Sequence, residues 1–399
     1  MADIAQPAVQ HRASAKDAAA RRAHAADTDG LTRLTAIGTN LWRGLSERAI
    51  EPNGYYLPEW ELAVNASASG HTGASMLSAW NDAGLIGLMP VVSMSRAYKI
   101  PLPALVSAHP YGTLCTPPLD RDMALEAVSQ LTFKARKAGA RALILRDMSL
   151  NGPAMKAFTE SLGREGLRPR VLQSYFRASL DATRDAEELL GEALGNKKLK
   201  ELRRQRHRLA EHGAVSFEAA RAPDEVAAGV EIFLKLEAGG WKGKRGTALA
   251  QDEGDAAFIR RATRALAETG QCEIVTLRAG DTPIAAAIVL RHQDRAFYFK
   301  LGVDERFAKF SPGVQLTLDL TRHLCADPMI ASVDSTASPD HPMINPIWRG
   351  RFAIGDVLIP LRKNDPAVAL IHAALISRQS ALDLARRSIR LLRAWRHRR

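Results

Sequence analysis

The sequence predicts an α/β protein of two units, each a mostly antiparallel mixed sheet flanked by helices, and three observations carry that prediction. Short apolar runs rich in β-branched and aromatic residues alternate with stretches of helical period. The order helix, helix, hairpin, helix, strand, helix, strand fills the chain up to about residue 180 and then begins again, without any residue-level repeat. The third observation is the stretch 297–320, FYFKLGVDERFAKFSPGVQLTLDL, where a buried-strand pattern feeds a short basic loop and then a helix start.

Residues 1–28 are Ala-rich, balanced in charge and without apolar periodicity, which predicts a disordered tail. The first unit, 29–180, opens with helical spacing around Leu41, Trp42 and Leu45, and a second helix begins at Pro58, where proline suits a first turn. Strands over 74–81 and 85–93 flank the turn-forming Asn81-Asp82-Ala83-Gly84, a hairpin pattern. A proline-rich connection around Pro101 and Pro110 leads to a helix over 122–138, a strand over 141–146, a helix over 153–162 and a closing strand over 171–179.

The second unit, 181–365, starts with a basic helix over 196–211 and a strand over 215–219, followed by helices over 223–238 and 252–269. A hairpin of 272–277 with 284–291 turns at Ala279-Gly280-Asp281. The strand–loop–helix comes next, then strands over 332–336 and 357–361, and the remainder, 366–399, reads as one long helix or two.

A chain of 399 residues that is 46% hydrophobic can bury two cores, and no run of it reaches the ~18 uncharged apolar residues of a membrane span. The start lacks the apolar segment of a secretory signal, so the cytoplasm is the expected compartment. Cys115, Cys272 and Cys325 are far apart, without metal-ligand spacing, and are expected as core residues; no metal is expected. The net charge of +12 is local: 197–208 sum to +6 and 386–399 to +7, so the rest sums to 12 − 13 = −1. Cations confined to two helices argue against a nucleic-acid surface.

The loop before Ser311-Pro312-Gly313 carries Arg306 and Lys309, and a helix N-terminus with free N–H groups behind such a loop suits phosphate. This segment, together with Asn196-Lys197-Lys198, Leu236-Glu237 leading to Trp241-Lys242, Pro283-Ile284-Ala285 and Tyr298, resembles the GNAT acyltransferase fold. The half 181–365 looks like the acetyltransferases associated with bacterial cellulose biosynthesis, the CelD/BcsL group, and the tandem arrangement is similar to the FemABX transferases.

The resemblance implies two GNAT-like domains and transfer from acetyl-CoA, or another acyl-CoA, to an amine or hydroxyl of a small-molecule or saccharide acceptor. It implies coenzyme pyrophosphate on Ser311 and the N–H groups of Phe310, Gly313 and Val314, with charge from Arg306 and Lys309 and a strand bulge at Gly302 that frees backbone for the thioester. The first unit has Leu114-Cys115-Thr116-Pro117-Pro118 at the corresponding place, with no glycine, and is expected to shape the acceptor cleft without binding coenzyme. Direct transfer needs a base, for which Asp334 and His341 are the candidates. Trp241, Lys242, Lys244 and Arg245, in a loop between helices, and Tyr298 are expected at the acceptor.

Three alternatives remain open at this level. A FemABX-like donor would be an aminoacyl-tRNA gripped by the helix at 197–208, and a scaffold would bind no coenzyme at all. The C-terminal helix, with Leu382, Ala385, Ile389, Leu392 and Trp395 at three-to-four spacing opposite arginines, suits peripheral contact with an anionic membrane surface at the inner face.

Overall fold

The computed structural model describes residues 30–82 and 84–396; the expected tail at 1–28 and Ala83 of the expected hairpin turn lie outside them. The first half runs β1 (Thr32–Arg33), α1 (Thr39–Glu47), α2 (Pro58–Ser67), β2 (Ser75–Asn81), β3 (Gly84–Ser93), α3 (Met94–Tyr98), β4 (Ala104–Ser107), α4 (Ala124–Lys137), β5 (Ala142–Ser149), α5 (Pro153–Arg164) and β6 (Arg170–Asp181). The second half runs α6 (Ala186–Leu209), β7 (Val215–Ala220), α7 (Pro223–Gly239), α8 (Trp241–Lys244), α9 (Glu253–Glu268), β8 (Cys272–Ala279), β9 (Thr282–His292), β10 (Arg295–Val303), α10 (Pro312–Cys325), β11 (Ser332–Asp334), β12 (Gly350–Pro360) and α11 (Pro366–Arg396).

The twelve strands among the described residues join one sheet in the order β1-β2-β3-β4-β5-β12-β6-β11-β10-β9-β8-β7. Each half is mostly antiparallel with one parallel pair, β4 with β5 and β10 with β11. The halves exchange their last strands. β12 pairs along β5 from Ile354↔Ser149 to Pro360↔Ala142, and β6 pairs with β11 through Ser179↔Asp334 to Asp181↔Ser332. A boundary at 180/181 therefore separates the halves in sequence only, and the cores mix accordingly: Val357, Ile359 and Leu361 pack with the first half. Tyr55, Leu57 and Trp60 pack with α7 and α9 residues such as Phe233 and Phe258.

Local departures have local causes. β4 lies within the stretch read as a proline-rich connection around Pro101 and Pro110, because four residues, ALVS, suffice once β3 and β5 offer edges to them. β12 begins at Gly350 rather than 357: GRFAIGD reads as loop, but pairing along β6 from Gly350↔Ser179 holds it extended. The basic helix begins earlier, at Ala186, and breaks at Gly195, whose φ of 69° and ψ of 162° are unavailable at low cost to other residues.

Three elements frame the site. In β10, Phe297 faces the α7/α9 side and meets Tyr55 edge-on at 5.6 Å between centroids, whereas Ala296 and Tyr298 face the α6/α10 side. In α10, Leu316, Leu320 and Leu324 recur at four-residue spacing and pack with Leu199 and Leu202 of α6. Gln315 Nε2 donates to Leu202 O at 2.9 Å, and Arg206 Nη1 meets Asp319 Oδ2 at 2.7 Å, which sets α6 and α10 side by side and parallel. No helix among the described residues is long and apolar enough to cross a membrane.

Candidate functional site

β10 and β11 pair only through Arg295↔Ser332 to Phe297↔Asp334, and beyond that point they part. The gap is a cavity of about 520 Å³ that passes from the mouth of α10 to the α7/α8 side. Its walls include Tyr298, Phe299, Lys300, Leu301 and Val303 from β10, Ser311 to Val314 from the helix start, and Ser335, Thr336, Ala337, His341, Met343 and Ile344 from the loop after β11. Trp241 and Lys242 of α8 close the far end.

Ser311 stands before α10 in the left-handed region, φ 55° and ψ 52°, and its side chain caps nothing. Its carbonyl accepts Gln315 N–H at 3.0 Å, and Pro312 has no N–H. The N–H groups of Gly313 and Val314 find no acceptor among the described residues, so they remain available at the positive end of the helix. A Cβ on Gly313 would stand 3.0 Å from Leu301 Cδ2 and 3.2 Å from Met343 Sδ, so the mouth admits only glycine without displacement.

Of the residues expected here, Ser311, Gly313, Val314, Tyr298, Trp241, Lys242 and His341 line the cavity together. Others do not. Arg306, Lys309 and Phe310 surround a separate hollow with His212 and Phe307, and Arg306 is tied to Asp304 at 2.7 Å, because the 3-10 turn Glu305–Phe310 faces them away from the mouth. Phe310 itself is a core ring. Gly302 is not the bulge: the register slips between Tyr298 and Lys300, so Phe299 is the extra residue. Gly302 instead lets α7 close on β10, since a Cβ there would sit 2.9 Å from Glu237 N and 3.1 Å from Phe233 O.

The expected loop at 241–247 begins as a helical turn, α8. Lys244 pairs with Glu305 and Arg245 lies over the Trp241 ring at 5.0 Å, and neither cation is part of the cavity lining. Asp334 is 1% exposed and is taken up by Arg177, so it faces β6 and not the cleft. Its Oδ1 accepts Thr336 N–H at 2.9 Å, which fixes the start of the loop lining the cavity.

His341 reaches the cavity with a lowered pKa, first from burial and then from Lys242. Its Nδ1 accepts the N–H groups of Ile344 and Met343 at 3.3 and 3.4 Å, so the neutral ring carries its proton on Nε2. The other ring nitrogen is thus a donor.

Two groups that sequence reasoning passed over complete the site. Glu237 is 2% exposed and gathers Lys242 Nζ at 2.8 Å, Lys300 Nζ at 3.7 Å and Leu249 N–H at 2.9 Å. Burial lowers the Lys300 pKa; Glu237 opposes the shift and Lys242 adds to it. The signal was present, since a lysine inside FYFKLG interrupts an apolar strand where only a functional or paired charge belongs.

The matching place in the first half is filled by the chain itself. β4 and β5 pair only through Ala104↔Ala142 to Val106↔Ile144, and Arg146 then folds into the opening, donating from Nε and Nη2 to Ser107 O at 3.2 and 2.9 Å. Cys115, fully buried there with its pKa pushed up to about 12 by burial, bonds through its N–H to Asp147 O at 3.1 Å.

Residues 196–341 match the family model described as the acetyltransferase (GNAT) domain. Among solved structures, the chain is similar to FemX, with a TM-score of 0.56 at 12% identity over 84% of this chain and 98% of that one. The C-terminal domain of a putative lysylphosphatidylglycerol synthetase from Agrobacterium fabrum gives 0.53 at 15% identity over 85% and 95%. A conserved protein of unknown function from Bacteroides thetaiotaomicron gives 0.51 at 12% over 82% and 98%. At these identities the likeness is one of fold, and it extends over both halves. No curated protein matches the chain significantly.

Proposed function

We propose that this chain, a GNAT-type acyltransferase by its domain at 196–341, moves an acetyl or other acyl group from an acyl-CoA to an amine or hydroxyl acceptor in the cavity between β10 and β11. The observation that carries the reading is the parting of these strands directly at the mouth of α10, where the N–H groups of Gly313 and Val314 have no partner among the described residues. These donors suit the coenzyme pyrophosphate, and the free edge of β10 suits an extended pantetheine arm. The coenzyme supplies a thioester-activated acyl group. A bond forms between acceptor nitrogen or oxygen and the acyl carbon, the carbon–sulfur bond breaks, and the acceptor proton ends on the leaving thiolate.

His341 Nε2–H is placed to polarise the acyl carbonyl, as oxyanion donors do. Lys300, with its lowered pKa, is the cavity side chain suited to take the acceptor proton and pass it to the leaving thiolate, and Glu237 with Lys242 holds it in place. Calorimetric titration of acetyl-CoA into the wild type and Gly313→Trp tests the donor site: binding to the first and none to the second is expected, and equal binding to both would end this reading. No binding to either would favour a non-catalytic scaffold.

A second reading, with an aminoacyl-tRNA as donor, draws on the α6 face where Lys197, Lys200, Arg203, Arg204 and Arg208 are exposed and form no ion pair among the described residues. Filter retention of bulk tRNA at ~150 mM salt decides it, since a phosphate grip must weaken steeply with salt. The link to exopolysaccharide or cell-envelope biosynthesis draws on the motif resemblance alone. Peripheral membrane contact through α11 is a further part of the reading. Val368, Ile371 and Leu375 anchor the start of that helix, while the side chains of Ile389, Leu392 and Trp395 lie outside the described residues. Deleting 380–399 is expected to abolish co-sedimentation with anionic liposomes.

A further inference from the structure

β11 is three residues long, whereas its neighbour β6 has twelve. The consequence is a stretch of β6 with no strand on one side. Ala182 N–H donates to Ala331 O at 3.0 Å and Ala178 O accepts Ser335 N–H at 3.1 Å, so the even-numbered residues of β6 present their backbone toward β11. Pairing stops there. Phe176 and Ser174 present N–H and C=O to the same edge, find no partner among the described residues and are exposed. The opposite edge of β6 is fully engaged, with β12 paired from Ser179↔Gly350 to Arg170↔Leu358.

Among the described residues, nothing guards this edge in the usual ways. Ser174, Tyr175 and Phe176 include no proline and no charged side chain, and the register slip of β6 against β12 comes only after Gln173. Phe176 is 59% exposed and Val171 53%, two of the large apolar side chains left uncovered on the molecule. The free stretch begins opposite Ser335, which lines the cavity, so the edge and the cavity are continuous.

We propose that the free edge of β6 is the acceptor-docking strip and that it takes the acceptor as an extended peptide. Resting on the acyl-transfer reading above, the peptide adds as a strand, exchanging backbone hydrogen bonds with Phe176 and Ser174, and its amine is delivered past Ser335 to the cavity. A peptide repeats its donors and acceptors every second residue, about 6.6–6.8 Å apart, the same spacing as the unpaired groups of β6. A saccharide chain does not repeat that alternation. Phe176 gives the added strand an apolar neighbour.

The test uses the full chain with CoA and a blocked heptapeptide of alternating valine and threonine around a central lysine, because a backbone ladder depends little on sequence. Hydrogen exchange of the Ser174 and Phe176 amides is expected to slow on the order of tenfold when peptide is saturating. Ser174→Pro, which removes one edge donor while leaving the β12 side intact, is expected to weaken peptide binding about tenfold and to leave acetyl-CoA binding unchanged. No slowing on β6, or equal peptide affinity in Ser174→Pro, overturns the proposal. Slowing that appears without peptide and grows with protein concentration also overturns it, because the occupant would then be a second copy of this chain. If the wild type binds no acetyl-CoA, the donor reading falls, while exchange at Ser174 and Phe176 still decides this one.

Discussion

Arg177 of β6 and Asp334 of β11 form an ion pair in which the side chains are 0% and 1% exposed, at the position where a strand from the first half meets one from the second. Arg177 Nη1 also donates to Thr113 O and Thr113 Oγ1 at 2.6 and 2.9 Å, and the guanidinium lies over Phe352 at 5.6 Å. Removing one partner strands the other charge in the core. Arg177→Met is expected to cost about 3–5 kcal/mol, and the double variant Arg177→Met/Asp334→Leu to cost less than the two single changes together by about 2 kcal/mol or more. Urea unfolding of all four proteins measures the coupling, and additive effects would show that the pair is not a unit.

Burial and Lys242 hold the Lys300 pKa down while Glu237 holds it up, so the two neighbours act with opposite sign. Glu237→Gln is expected to lower the pKa further and Lys242→Met to raise it. Amine labelling of Lys300 at pH 8, followed by mass spectrometry, is expected to run on the order of threefold faster in Glu237→Gln than in the wild type. Slower labelling in that variant would contradict the assignment.

His292 joins the end of β9 to the first half, accepting Asn53 N–H on Nδ1 at 2.8 Å and donating from Nε2 to Ser46 O at 2.9 Å. Burial pulls its pKa down from 6.5 to about 4. The unfolded chain therefore binds more protons between these values, and stability rises with pH across that window. The contribution is complete above pH 6.5 and lost as the pH falls through 4, a difference of roughly 3 kcal/mol. Urea midpoints at pH 7 and pH 4.5 are expected to differ less in His292→Gln than in the wild type.

Gly302→Ala is expected to cost about 1–3 kcal/mol by driving a methyl group against the α7 backbone. Gly239→Ala, at a position with nothing within 4 Å, serves as the matched control and is expected to be neutral or mildly stabilising. Thermal melts of the two variants compare the effects directly.

The strand–loop–helix at 297–320 was legible because its signals are local: aromatic alternation, then Ser311-Pro312-Gly313 at a helix start. The side each loop residue faces was not. Arg306 and Lys309 read as phosphate ligands by proximity in sequence, yet the 3-10 turn carries them round to another surface. Asp334 belongs to a real strand, but its burial depends on Arg177, far away in the chain. The exchange of β6 and β12 leaves no trace in composition, because long-range pairing is settled by which edge is open and not by the residues of GRFAIGD.

That exchange also fixes when the molecule can be finished. The slot between β5 and β6 is reserved for β12, near the carboxyl end, so the first half cannot close its sheet while the ribosome is still making the second. Until β12 arrives, the facing edges of β5 and β6 stay open to any other strand, and completion waits until the chain has been released through Pro360. Truncating the protein before Gly350 therefore removes the keystone of the amino-terminal half, not merely the end of the carboxyl-terminal one.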